Sequence, residues 1–249
     1  MRTSALIVAA AAALSAACNG SLYRPTHAPR LSATSFLAFG DSMTEGADAD
    51  TPCPAGSTRF TLSQSMLSLP VLAPGQSYPS VLQELLRDEY PTQQIVVENR
   101  GVGGELAADG AKRLPNVLLQ SAPQVTLILE GANDVNQNTP LGPLGNSVAT
   151  MIQTARAKGN TVFIATVPAQ RPNGVNGACR GFNPPGVQPV NEQMRSTAHT
   201  EGAVLVDIYA AFGGVPDPFI GKDGLHPTVE GYSRIAGTFF DAISARLRD

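Results

Sequence analysis

With 249 residues, 43% of them hydrophobic and 15% charged, the chain is long enough for one substantial domain with a buried core, and nothing requires two. Its net charge of −3 comes from 17 basic and 20 acidic side chains, with no basic run or Lys/Arg patch, which argues against nucleic acid as the main partner. The 24 glycines and 20 prolines predict many turns and loops but form no low-complexity tract.

Residues 1–17 read as a secretory signal peptide. Arg2 supplies positive charge, residues 5–14 are continuously apolar, and small residues lead to Ala17 and Cys18. The apolar run is shorter than the roughly 20 residues of a spanning helix. The ending L-S-A-A-C resembles the lipobox of bacterial lipoproteins, although Ser15 stands where a leucine is usual. Lipidation of Cys18 would anchor an exported chain to a membrane, with residues 18–34 as a tether and 35–249 as the domain. Ordinary cleavage after Ala17 is the alternative. Three cysteines are an odd number for an exported protein. Assigning Cys18 to a lipid leaves Cys53 and Cys179 as a pair for an oxidising compartment, the alternative being two free thiols.

Beyond the tether, five apolar runs at 36–39, 95–98, 125–130, 161–167 and 203–208 are nearly continuous, as strands covered on both faces are. Between and after them, residues 78–90, 105–120, 144–158, 187–202 and 228–248 have helical spacing. In the first of these, Val81, Leu82, Leu85 and Leu86 share one face. The alternation predicts an α/β fold with three layers, a doubly wound, flavodoxin-like parallel sheet of five strands between two layers of helices. In such a sheet, ligands sit at the carboxyl ends of the strands.

Four of the five strand-end loops carry polar or glycine-rich clusters. Asp41-Ser42 follows the first strand and Asn99 to Glu105 (N-R-G-V-G-G-E) the second. Gly131-Ala132-Asn133-Asp134 follows the third, and Asp223 to Thr228 (D-G-L-H-P-T) precedes the last helix. Singly these are weak signals. Ser42 and Asn133 could each be turn residues. The glycines could cradle a phosphate, but the dinucleotide spacing is missing and Glu105 would repel a phosphate. His226 is more specific, because it lies three residues after Asp223, a spacing that lets the carboxylate reach Nδ1 and leaves Nε2 free as a base. No other His or Cys lies near it in sequence to complete a metal site, so neither a metal nor any other cofactor is expected.

Together and in this order, F-G-D-S-M-T, N-R-G-V-G-G-E, G-A-N-D and D-G-L-H-P-T resemble the motifs of the SGNH (GDSL) hydrolases, over essentially the whole domain. The resemblance implies Ser42 as nucleophile, His226 as general base and Asp223 as the residue that orients it. It also implies an oxyanion hole made of the Ser42 N–H, a glycine N–H of the second motif and the Asn133 side chain. Matching G-G-E to the family's ending selects Gly104 over Gly101 or Gly103. Met43 stands where leucine is commonest, at a position expected to pack behind the serine. Asp41 is expected to bond turn amides, and Glu45 to be a helix-start carboxylate.

The expected activity is that of an exported serine esterase cleaving carboxylic esters of small molecules, lipids or saccharides through an acyl-enzyme. Carbohydrate O-acetyl esterase, lysophospholipase and thioesterase activities use the same machinery, and a non-catalytic binding lipoprotein is the alternative from another class. Two long loops, 47–77 with Cys53 and 168–185 with Cys179, leave the same sheet edge as the catalytic loops. A Cys53–Cys179 bond would tie them over the substrate pocket. The apolar stretch 60–72 favours a substrate with a hydrophobic part.

Overall fold

The computed structural model describes residues 28–50, 70–171 and 187–249. Cys18, Cys53 and Cys179 lie outside the described residues, as do the leader, much of the tether and most of both long loops. In chain order the elements are β1 Ser35–Gly40, α1 Ser42–Glu45, α2 Tyr78–Glu89, β2 Val96–Gly101, α3 Ala107–Ser121, β3 Val125–Leu129 and α4 Ala132–Gln137. There follow α5 Leu141–Ala157, β4 Thr161–Ala165, α6 Val187–Glu201, β5 Val204–Val206, α7 Ile208–Ala211 and α8 Val229–Leu247.

The five strands form one parallel sheet in the order β2-β1-β3-β4-β5. The predicted α/β, doubly wound architecture is therefore the observed one. Helices α2 and α8 pack together, while α3, α5 and α6 pack in sequence against one another. The rings of Tyr78 in α2 and Phe239 in α8 stack at 5.3 Å. Strand β3 is buried at every position and β1 at all but its first, which accounts for their unbroken apolar sequences. Strand β2 is an edge strand, so its burial is uneven and Val96 is half exposed.

Strand ends differ from the sequence expectation for local reasons. β2 runs on to Gly101 because it stays in register with β1, pairing Gly101 with Gly40. β4 stops at Ala165, and the Asn191 side chain takes over at Val167, accepting from its N–H (2.7 Å) and donating to its carbonyl (2.8 Å). β5 ends at Val206 because Asp207 caps α7, accepting from the Ala210 N–H. Of the three one- or two-turn helices, α1 was expected only as the helix start at Glu45, and α4 and α7 were not predicted, being too short for periodicity to reveal.

The strand order reverses between β1 and β3: the crossover from β1 leads to β2 on one side and that from β3 to β4 on the other, which opens a crevice at their carboxyl ends. Gly40 makes this crevice possible. A Cβ there would lie 2.0 Å from the Leu129 carbonyl oxygen and 2.4 Å from Thr44 Oγ1. Gly40→Ala should therefore push β1 from β3 and cost about 2–3 kcal/mol. Urea denaturation should record this as a lower midpoint, accompanied by loss of activity.

Candidate active site

The first apolar strand delivers Ser42 to this crevice through a tight turn. Asp41 is the N-cap of α1: its Oδ1 accepts from the Met43 N–H at 2.9 Å, and its carbonyl accepts from Thr44 and Glu45. Asp41 thus bonds turn amides as expected, and Met43 is wholly buried behind the serine. Glu45 ends this single turn, and Gly46 follows it in the left-handed conformation.

The acid–base arm comes from the turn before α8. Asp223 Oδ1 accepts from the N–H groups of Leu225 and His226, both at 3.0 Å, which shapes the turn. Its Oδ2 lies 2.5 Å from His226 Nδ1. A carboxylate can only accept here, so Nδ1 carries the proton and Nε2 presents its lone pair. His226 Nε2 lies 2.9 Å from Ser42 Oγ. The turn is braced by Arg171, whose N–H donates to the Gly224 carbonyl (2.8 Å) and whose guanidinium holds Asp217 and the Ile220 carbonyl. Ser42, Asp223 and His226 are all essentially inaccessible in the described residues.

The third group follows β3. Asn133 opens α4 just after β3, and its Nδ2 donates to the Glu105 carbonyl at 2.9 Å, which orients the amide and leaves its second N–H. Gly104 has φ of +77°, a conformation that suits glycine and turns the chain between β2 and α3. Neither the Ser42 nor the Gly104 N–H has a backbone acceptor among the described residues. The structure thus brings the loops of Ser42, Gly104, Asn133, Asp223 and His226 to one sheet edge.

Sequence reasoning missed what lies underneath. Arg113 of α3 pairs with Glu105 through Nε (2.7 Å) and Nη2 (2.5 Å). It also donates to the carbonyls of Arg100 and Gly40 and lies 4.0 Å over the Phe39 ring. One guanidinium thereby ties the ends of β1 and β2 to the glycine loop. Glu105 is spent on this pairing, so it is a brace for the loop and not only the phosphate-repelling charge inferred from sequence. Asp134 Oδ2 accepts from the Ala107 N–H at 2.9 Å and so anchors the start of α3. Glu130 is wholly buried and neither of its oxygens has a hydrogen-bond partner. Its one sequence signal was a carboxylate closing an otherwise apolar strand; Arg113, a lone cation on a helix, gave none.

Burial pushes the Asp41 carboxyl up to about 7, against the pull of the Met43 N–H and His226 and with the help of Asp134 and Glu105. Glu130 is also raised, well above the ordinary carboxyl range, first by burial, then by Asp41, Glu105 and Asp134. Among the described residues, no three His, Cys, Asp or Glu side chains are placed to hold a metal ion.

Comparison with known proteins agrees with this geometry. The sequence model of the GDSL-like lipase/acylhydrolase family matches residues 38–234. The chain is 25% identical to the esterase TesA of Pseudomonas aeruginosa over 181 residues, 73% of this chain and 85% of that one. A lipase/acylhydrolase from Enterococcus faecalis superposes with a TM-score of 0.66 at 21% identity, covering 86% of this chain and 97% of that one. A carbohydrate acetylesterase from Sinorhizobium meliloti superposes at 0.65 and 18% identity, covering 85% and 99%.

The Asp41 shift has a measurable consequence. Its folded value lies above the unfolded 3.8, so folding takes up a proton in between, and stability present below that window is lost as pH rises to about 7. Asp41→Asn escapes this loss. Its stability relative to the parent should therefore climb by about 1.4 kcal/mol per pH unit across the window and level off above it, as read from urea midpoints.

Proposed function

The chain belongs to the GDSL-like lipase/acylhydrolase family and is a carboxylic ester hydrolase, and we propose that it works through an acyl-enzyme on Ser42. The observation that carries this mechanism is the 2.9 Å contact between His226 Nε2 and Ser42 Oγ, with Asp223 on the far side of the ring. A serine hydroxyl is a poor nucleophile until an adjacent base takes its proton. As Ser42 Oγ bonds to the ester carbonyl carbon, its proton passes to Nε2, and Asp223 stabilises the resulting imidazolium. The carbonyl electrons move onto oxygen, where the N–H groups of Ser42 and Gly104 and the Asn133 amide receive the charge. Collapse expels the alcohol, protonated by His226. Water then attacks the acyl group with His226 as base, releasing the acid and restoring Ser42.

The substrate we propose is an ester with short to medium acyl chains and a hydrophobic part, supported by the apolar run at 60–72 beside the site in sequence. We also take residues 1–17 as a lipoprotein-type signal, Cys18 as the lipidated terminus and 18–34 as a tether, so that the enzyme works outside the cytoplasm on a membrane anchor. Cys53 and Cys179 pair in that compartment and link the two long loops. Among the described residues no helix is long and apolar enough to cross a membrane.

A serine-directed phosphonate should label the protein, and Ser42→Ala should abolish labelling and lower kcat by about 10⁴-fold or more. Labelling that persists without Ser42 sinks the mechanism. Asn133→Ala should lower kcat by about 10²–10³-fold with a smaller change in KM. A panel of nitrophenyl esters, acetylated sugars, lysophospholipids and thioesters then ranks the substrates, and a preference for acetylated sugars would replace the proposed class.

Mass spectrometry of exported protein addresses the N-terminus and the cysteines together. The expected result is an acylated Cys18 terminus and a Cys53–Cys179 cross-linked peptide. An unmodified Cys18 or free thiols at both other positions would remove the corresponding assignment.

A further inference from the structure

Four carboxyl groups gather beneath the oxyanion loop, and their partners are unequal. Glu105 has the Arg113 guanidinium, Asp134 has the Ala107 N–H, and Asp41 has the Met43 N–H at one oxygen. Glu130, at the carboxyl end of β3, has no hydrogen-bond partner for either oxygen, and no part of it reaches solvent. Arg113 does not serve it: its Nε and Nη2 hold Glu105, and Nη1 and Nη2 also reach the Arg100 and Gly40 carbonyls. An ionised carboxylate without a donor is among the costliest groups to enclose. A protonated one needs only an acceptor.

The Glu105 carboxylate is the candidate acceptor. A Cβ built on Gly110 of α3 would lie 3.2 Å from Glu130 Oε1 and 3.4 Å from Glu105 Oε2, so both carboxyl groups crowd the same backbone position. The absence of a side chain at Gly110 leaves the space that they occupy. Burial comes first, and the charges of Asp41, Glu105 and Asp134 add to it, in favouring the protonated form. The titratable and charged groups that face Glu130 are Asp41 before α1, Glu105 before α3, Asp134 in α4, Arg113 in α3 and the buried Tyr78 hydroxyl of α2. The one cation among them is already bound to Glu105.

We propose that Glu130 is a positioning residue for ester hydrolysis: held as the neutral acid, it donates a hydrogen bond to Glu105 and completes a Glu130–Glu105–Arg113 chain that fixes the carbonyl aiming Asn133. The chain runs from the end of β3, through the side chain of Glu105, to a guanidinium bonded to the ends of β1 and β2. The backbone carbonyl of the same Glu105 receives Asn133 Nδ2. A loose Glu105 would let the amide swing, and oxyanion stabilisation depends on donors that need no reorganisation. Glu130 touches no substrate and acts only through Glu105. The catalytic part of the inference rests on Asn133 serving as an oxyanion donor; the protonation state does not.

Two measurements separate these parts. The first counts protons by urea denaturation of the parent and Glu130→Gln between pH 5 and 8. A group neutral in the fold and ionised when unfolded makes the ratio of the two folding constants change by up to tenfold per pH unit, in favour of Glu130→Gln as pH rises. A flat ratio means that Glu130 is ionised in the fold and overturns the proposal. The second is kinetic, on a nitrophenyl ester. Glu130→Met, which removes the proton donor but keeps the bulk, should lower kcat by about tenfold with KM little changed. Glu130→Gln, whose amide can donate to Glu105, should restore most of that loss. Equal kcat for the Met and Gln variants overturns the positioning role. Adding Glu130→Met to Asn133→Ala should cost nothing further, because both act through one amide. Should Asn133→Ala alone leave kcat unchanged, the oxyanion assignment fails, while the proton count still judges the state of Glu130.

Discussion

The contact between His226 and Ser42 joins residues 184 positions apart, and most of the fold can be understood as what makes it possible. Ser42 hangs from the end of β1, beside β3, at the point where the strand order reverses. His226 arrives from beyond the other end of the sheet, carried by the turn that precedes α8. That helix reaches back to pack on α2, where Tyr78 and Phe239 stack. The catalytic distance is therefore a consequence of how two helices bury their apolar faces against one side of the sheet.

Beneath the site the protein tolerates an unusual density of acid. Four carboxyl groups and one guanidinium share a nearly dry region behind Ser42. Backbone amides serve Asp41 and Asp134, an ion pair serves Glu105, and burial itself pushes Asp41 and Glu130 toward their protonated forms. The same groups hold the β1, β2 and β3 loops in register. Stability given up to enclose acids there is spent where the loops must not move, as is common at functional sites.

The parts of this arrangement that were legible in sequence are those with local causes. The apolar runs of β1 and β3 announced buried parallel strands, and the three-residue step from Asp223 to His226 announced their hydrogen bond. Gly104 and Asn133 were legible through motif order, since each is an ordinary turn residue when taken alone. The end of β4 was not legible, because it depends on Asn191 reaching across from α6 to Val167. Nor was Arg113, whose partners lie on three different segments.

The sequence by itself determined the alternation of strand and helix, and with it a parallel sheet whose loops carry a serine, an asparagine and an Asp–His pair. Those features follow from periodicity and turn chemistry, which act over a few residues. Tertiary structure alone decided that Glu105 braces the loop, that Arg113 binds three chain segments together, and that Glu130 is enclosed with no donor for its oxygens. Burial and partnership depend on what other segments bring to a residue, and no spacing along the chain encodes them.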